Sequence, residues 1–193
     1  MPNWVYNSIT ITGDKAKVMA LRDKLGATRD SNGTPYTDPF DFWNIIAPTN
    51  LEAYYQKVGN ETAMDDQLSW YGWNCANWGT KWNSAETTLE EEELGETEYE
   101  LNYHFDTAWS HPEPIMEWLL GHCQMNNLSL YWHFEEEQGW GGTISHNNLS
   151  GATLTTSWEI PVSHAEMDAL DKDCVCTYNE PEFWFEDCPR EVV

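Results

Sequence analysis

Trp4-Val5-Tyr6-Asn7-Ser8-Ile9-Thr10-Ile11-Thr12 alternates large apolar with small polar side chains and is rich in β-branched residues, the pattern of a strand with one buried face. Gly13-Asp14 ends the alternation. Asp14 is placed to cap a helix in which Val18, Met19, Leu21 and Leu25 recur at helical spacing until Gly26 stops the run. A strand running straight into an amphipathic helix opens the fold, and the other elements are read outward from it. Residues 27–39 collect Asp, Ser, Asn, Gly, Thr and two prolines and read as a loop. Phe40-Asp41-Phe42-Trp43-Asn44-Ile45-Ile46 reads as a second strand, closed by Pro48. Residues 47–97 are long for a connection and form a Trp-rich insert that ends in the run Glu90-Glu91-Glu92-Glu93.

Beyond the insert, Tyr99 to Asp106 alternates as a strand with acids and amides on one face. Ser110 with Glu113 has the spacing of a capping box and Pro112 suits a first helical turn. Ile115, Met116, Trp118, Leu119 and Cys123 then mark the inner stripe of a second helix. Leu128 to Glu136 reads as a fourth strand, Gly139, Gly141 and Gly142 as a turn, and Thr143 to His146 and Ala152 to Trp158 as two further strands. Residues 164–172 suit a short helix. This order predicts an α+β fold of ferredoxin-like type, a βαββαβ antiparallel sheet with two helices on one face, plus a long Trp-rich insert and extra C-terminal strands. Residues 1–160 form the domain, with the insert at 47–97, and 161–193 a C-terminal helix and acidic tail.

With 33 Asp and Glu against 9 Lys and Arg, the chain of 193 residues carries a formal charge of −24. Lys15, Lys17, Arg22, Lys24 and Arg29 against Asp14, Asp23 and Asp30 leave residues 1–30 mildly basic, and the remainder of the chain is strongly acidic in sum. Duplex DNA carries one charge per about 1.7 Å, so this charge matches roughly 40 Å of duplex. A compact chain of this length is also roughly 40 Å across. Small domains stay soluble with net charges of about 2 to 8. Free nucleic acid and anionic membranes are excluded as partners, because phosphate binding needs clustered Lys and Arg. The start Met1-Pro2-Asn3-Trp4-Val5-Tyr6 has neither the basic nor the apolar part of a signal peptide, and no run of about 18 apolar residues occurs. A cytoplasmic protein is expected. Five scattered cysteines read as reduced thiols.

The chain resembles the YubB-like family with a ferredoxin-like domain, found in bacteriophages and conjugative plasmids. The resemblance rests on Met1-Pro2-Asn3-Trp4 with Asn7 and Gly13, on Trp70-Tyr71 leading into Asn77-Trp78-Gly79-Thr80-Lys81-Trp82, and on Phe105-Asp106-Thr107-Ala108-Trp109-Ser110 with Pro112. These blocks span about residues 1–145. Val5 stands where the family commonly has Cys, which touches only packing. The resemblance implies a mobile-element protein expressed in a bacterial host and supplies no reaction.

Four kinds of site are weighed. Trp70, Trp73, Trp78 and Trp82, with Lys81 as the only nearby cation, form either a stacking platform for a nucleotide-like or sugar-like ligand or the private core of the insert, anchored by indole N–H bonds to carbonyls or to Asn74 and Asn77. Metal binding finds no support: Cys174-Val175-Cys176 is C-x-C, Cys188 has no matched histidine, and Glu90 to Glu93 lacks the spacing of a calcium loop. No cofactor is implied. Catalysis finds no diagnostic spacing around His104, His111, His122, His133, His146 or His164. His104 and His133 are expected to pair with cross-strand carboxylates and His122 to serve as a helix-end charge partner. The fourth kind is acidic: Glu86 with Glu90, Glu91, Glu92, Glu93, Glu96, Glu98 and Glu100; Glu135, Glu136 and Glu137; and Glu180, Glu182, Glu186 and Asp187. The favoured expectation is a non-enzymatic phage- or plasmid-encoded inhibitor that mimics DNA charge. Its partner is a host defence or DNA-processing protein with a basic nucleic-acid-binding groove. The alternatives are a small-ligand module built on the Trp-rich insert and a virion or assembly component.

Overall fold

A computed structural model describes residues 3–29, 35–55, 69–161 and 163–170. In chain order the elements are β1 (Trp4–Asp14), α1 (Lys15–Leu25), β2 (Ala27–Arg29), β3 (Pro35–Asp38), a 3-10 turn (Phe42–Asn44), α2 (Leu51–Tyr54), α3 (Trp70–Asn77), β4 (Ala85–Glu93), β5 (Glu98–Ala108), α4 (Glu113–Asn126), β6 (Ser129–Glu136), β7 (Gly141–His146), β8 (Thr153–Trp158) and α5 (His164–Ala169). Six strands make one antiparallel sheet in the order β4-β5-β1-β6-β7-β8, and β2 and β3 pair separately. The molecule is thus a mixed α+β protein built on an open sheet.

The alternation in β1 decides the two faces. Val5, Asn7, Ile9 and Ile11 are buried, and they share one hydrophobic cluster with Val18, Leu21 and Leu25 of α1 and Ile115, Met116, Leu119 and Cys123 of α4, Asn7 excepted. Asp14 caps α1 by accepting from the Lys17 N–H at 3.2 Å, and Gly26 ends it. α1 lies over β1 and β5, and α4 over β6 and β7. The opposite face of the sheet carries Tyr6, Ser8, Thr10 and Thr12 of β1 and stays solvated, as antiparallel sheets allow.

One polar side chain is set into the apolar layer. Asn7 Nδ2 donates to the Val5 carbonyl (2.9 Å) and to Thr107 Oγ1 (3.1 Å), and Asn7 Oδ1 accepts from Trp132 Nε1 (3.1 Å). Three neighbouring strands are joined by one amide whose polar atoms all find partners, which is the condition for burying it.

Several elements differ from the sequence reading. Phe40 to Ile46 is not a strand. Asp38 accepts from the Phe40 N–H (2.9 Å), Asn83 from Phe42 (2.9 Å) and Asp41 from Trp43 (3.0 Å), so side chains take the donors that a ladder would use. Phe40 and Phe42 are both fully buried, and Phe40 stacks on Phe105 with centroids 4.9 Å apart. The alternation there marks two aromatic anchors of a turn. The strand on the outer side of β5 is β4, which lies inside the stretch assigned to the insert, so the run Glu90 to Glu93 is strand and not loop. Residues 27–39, read as a loop, contain β2 and β3. Ser110 does not cap α4: its hydroxyl donates to the Gly79 carbonyl, and the cap position is Pro112 with no side-chain bond. Gly141 and Gly142 belong to β7 rather than to a turn. A Cβ on Gly142 would meet the Phe134 ring and the Thr156 carbonyl at 2.7 Å, so only glycine fits there. The acidic tail, Cys174, Cys176 and Cys188 lie outside the described residues.

Asn7→Ala leaves the Trp132 indole N–H without a partner inside the core, and a loss of about 1–3 kcal/mol is expected. Urea denaturation checks this: the midpoint falls while the slope stays constant.

Candidate functional site

The sheet register sorts the carboxylates between its two faces. Across β4 and β5, Leu89 opposes Tyr103, Glu90 opposes Asn102, Glu91 opposes Leu101, Glu92 opposes Glu100 and Glu93 opposes Tyr99. Residues level with buried Leu101 and Tyr103 point toward the helices, and the others point to the open face. Glu91 and Glu93 therefore meet α1. Arg22 Nη1 reaches Glu91 Oε2 at 2.8 Å, the Tyr99 hydroxyl donates to the same oxygen at 2.8 Å, and Lys15 Nζ reaches Glu93 Oε1 at 2.5 Å. Glu90, Glu92, Glu98 and Glu100 lie on the open face, and Glu96 is exposed in the hairpin turn. The six strands together hold eleven carboxylates and no Lys or Arg.

The second cluster sits at the other end of the sheet. Glu135 opposes Tyr6, which opposes Asp106. Thr12, six residues along β1 from Tyr6, opposes Glu100, so the two acidic ends are about 20 Å apart. Glu135 is half-buried and Glu137 exposed, whereas Glu136 is 2% exposed and accepts from the Gln138 N–H at 2.6 Å. Glu136 thus fastens the β6–β7 turn and presents no charge to a partner. Asp106 was not singled out from sequence, although it continues the outward alternation of Glu98, Glu100, Asn102 and His104. Burial, then Glu86 and Glu137, push its carboxyl above the ordinary value. Partial burial alone would raise Glu91 as well, but the hydrogen bonds from Arg22 and Tyr99 outweigh it and its pKa falls.

The Trp-rich segment divides in two. Trp78 is 1% exposed, donates from Nε1 to the Ile46 carbonyl (2.8 Å), and is ringed by Phe42, Trp43 and Trp73. Asn74 is buried, donating to the Lys81 carbonyl (2.9 Å) and accepting from the Tyr54 hydroxyl (3.1 Å). Trp78 is therefore core, and Trp73 packs half-buried against it rather than standing free as a platform. Lys81 lies outside that core, with its Nζ 4.5 Å from the Trp109 ring centroid, 4.7 Å from Trp82 and 6.0 Å from Tyr71. Trp4 packs on Trp82 with centroids 5.8 Å apart, and Trp70 on Tyr71 at 5.8 Å. Among the described residues no carboxylate lies within 4 Å of Lys81. Two of the sequence blocks make this contact by clasping each other: Thr80 Oγ1 donates to the Ala108 carbonyl (2.9 Å) and accepts from the Ala108 N–H (3.1 Å). Trp109, at φ +75°, donates its N–H to the Asn3 carbonyl. Trp4, Tyr71 and Trp109 were missed from sequence because their meeting is long-range.

The histidines sit differently from expectation. His104 opposes Ser8 and Thr88 rather than a carboxylate, and His133 approaches Glu135 of its own strand at 3.7 Å. His122 stacks on Trp118, where burial and then Lys24 lower its pKa, which works against a charged helix-end role. Among the described residues no group of three His, Cys, Asp or Glu is arranged to hold a metal, and no helix is long and apolar enough to cross a membrane.

No protein-family model matches the chain, and no curated protein matches it. A solved structure to which it is similar is the crystal structure of protein api92 from Yersinia pseudotuberculosis, assigned to the family model DUF1281. The two share 9% identity over 83% of this chain and 99% of that one, with a TM-score of 0.47.

Two carboxylates give opposite signs of pH dependence. The depressed Glu91 stabilises above the ordinary carboxylate pKa, and that contribution is lost as pH falls through its lower folded value. Glu91→Gln therefore costs stability at neutral pH and costs less in acid. The raised Asp106 contributes stability only below the ordinary range and loses it as pH rises through its folded value. Asp106→Asn therefore gains stability at neutral pH, a gain that vanishes in acid. Thermal melts of both variants across pH 3–7 check the two signs.

Proposed function

We propose that this chain is a non-enzymatic acidic inhibitor, encoded by a phage or plasmid, that presents its open sheet face to the basic nucleic-acid groove of a bacterial host protein in the cytoplasm. The observation that carries the reading is the one-sided charge: Glu90, Glu92, Glu98, Glu100, Asp106 and Glu135 lie on the open face, the strands hold no Lys or Arg, and Lys15, Lys17, Arg22 and Lys24 are on α1 at the covered face. Carboxylates two residues apart on a strand recur about every 7 Å, and neighbouring strands lie about 5 Å apart. This gives a fixed lattice of negative charge rather than a solvated tail. Glu92 directly opposite Glu100 is a like-charge pair of the kind that costs stability in a sheet, which suits a surface kept for use.

The same reading includes a ferredoxin-like core of the YubB-like kind. In its support, β1 leads through α1 and the Trp-rich insert to β4, and β5 leads through α4 to β6, and each pair of strands brackets one strand of the other, an order that fits a split βαβ plan. β7 and β8 extend it.

The quadruple variant Glu90→Gln/Glu92→Gln/Glu98→Gln/Glu100→Gln tests the function. Host proteins captured on the wild-type chain should elute in a salt gradient, be displaced by duplex DNA, and bind the variant at least tenfold more weakly, chiefly through a slower on-rate. Retention that ignores both salt and the variant overturns the proposal.

A second reading has its own observation, the Lys81 ammonium held against Trp82, Trp109 and Tyr71 with no carboxylate beside it among the described residues. A cation among aromatic faces is the chemistry of a site for a nucleotide-like anion. Titration with nucleoside monophosphates should then quench Trp fluorescence in the wild type and not in Lys81→Ala. An unchanged spectrum removes this reading and leaves the first intact.

A further inference from the structure

We infer that the outer edge of β8 pairs with the β8 edge of a second copy of this chain, joining two sheets into one. The two edges of the sheet are built differently. At β4 the register is broken between Ala85 and Thr88, Glu86 takes φ +51°, and four consecutive glutamates follow. A bulge and charge are the usual means of keeping an edge from recruiting another strand. β8 has neither. Its sequence Thr153-Leu154-Thr155-Thr156-Ser157-Trp158 is uncharged, rich in β-branched residues, regular in its pairing with β7, and exposed from Thr153 to Ser157.

The neutrality extends beyond β8. From Gln138 to Trp158 no residue is Asp, Glu, Lys or Arg, in a chain where such residues make up 22%. The acids gather on β4 and β5, and beyond Glu135 of β6 the open face toward β8 carries only hydroxyl, imidazole and apolar side chains. Tyr131, Ser145 and Leu154 form one row across it, with Tyr131 46% and Leu154 63% exposed at either end.

Charge selects the occupant. An uncharged edge has nothing to draw a basic partner away from the acidic side. For a second copy the difficulty is repulsion between two strongly acidic chains, and edge-to-edge pairing at β8 is the arrangement that minimises it. Each β4 lies five strand spacings from its own β8, so the two β4 strands end up eleven spacings, about 50 Å, apart. Screening acts over about 8 Å at physiological ionic strength, and the acidic edges do not feel each other. Hydroxyl pairing of the kind already made between Thr143 and Thr156, at 2.6 Å, would be available again at the new ladder.

Sedimentation equilibrium of the full chain at several concentrations tests this, at low and at high salt. A monomer–dimer equilibrium is expected, and it tightens as salt rises, the opposite sign to the proposed partner binding on the acidic face. Leu154→Glu/Thr156→Glu should weaken the dimer tenfold or more, and Glu90→Gln/Glu92→Gln on the other edge should leave it in place. Hydrogen exchange on the wild type gives a readout independent of any variant: β8 amides gain protection with concentration and β4 amides do not. A chain that is monomeric at every concentration, or a dimer indifferent to the β8 variant, overturns the inference without touching the acidic-face proposal.

Discussion

The register of β4 against β5 is the constraint on which the charge pattern depends. A strand has a side-chain period of two, so a slip of one residue would send Glu90 and Glu92 toward α1 and turn Glu91 and Glu93 outward. Leu89, packed against the core, and the pair of contacts from Arg22 and Tyr99 to Glu91 hold the register in place. An exposed ion pair is worth little by itself. Because residues 90–93 are all glutamate, the α1 cations would meet a carboxylate in either register, and the distinct cost of the slip is Leu89 turned into water. Leu89 thus decides which acids are left facing solvent, and Lys15 and Arg22 pair with two of those turned toward α1.

The second constraint is aromatic. Phe40 lies against Phe42, Tyr103, Phe105 and Trp132, with centroids between 4.9 and 6.5 Å, and Phe42 continues the contact to Trp78. One continuous set of rings therefore links the sheet, the turn after β3 and α3. A tryptophan-rich segment that looks from its composition like a ligand platform is mostly the means by which a long connection is tied to the sheet. Only the outer fringe, where Trp82 and Trp109 flank Lys81, keeps rings at the surface.

The sequence was most legible where a single element carried its own evidence. β1, α1, β5, α4 and β6 follow from alternation, helical spacing and the Asp14 cap, and each is shaped by one buried face. What could not be read depended on a partner far along the chain. Phe40 to Ile46 imitates a strand because its two phenylalanines point the same way, and only the Asp38, Asp41 and Asn83 side chains reveal a turn. Four glutamates in a row argue for a loop on propensity, and the pairing with β5 overrides that. Gly141 and Gly142 resemble turn residues until the approach of Phe134 and Thr156 gives them a reason to be small. Of the acidic residues read as a partner surface, Glu136 is buried and Glu91 and Glu93 are engaged with α1. Composition identified the charge, and only the register could say which carboxylates were available.

Segregation of charge has a consequence for how such a surface can work. Eleven carboxylates spread evenly over the strands would repel in every direction, with no preferred approach for a cationic partner. With Lys15 and Arg22 set under β4 and a stretch free of Asp, Glu, Lys and Arg along β7 and β8, the molecule has instead a direction: acidic on the open face toward one edge, neutral toward the other. Beyond a Debye length a partner feels almost nothing, so orientation is imposed only in the last stage of approach, by whichever patch is nearest. A field that changes across about 25 Å, the width of six strands, is steep enough on that scale for one edge to attract while the other does not. This difference between the edges is the ground for the two proposals, in which a single small sheet offers two surfaces that answer to salt in opposite ways.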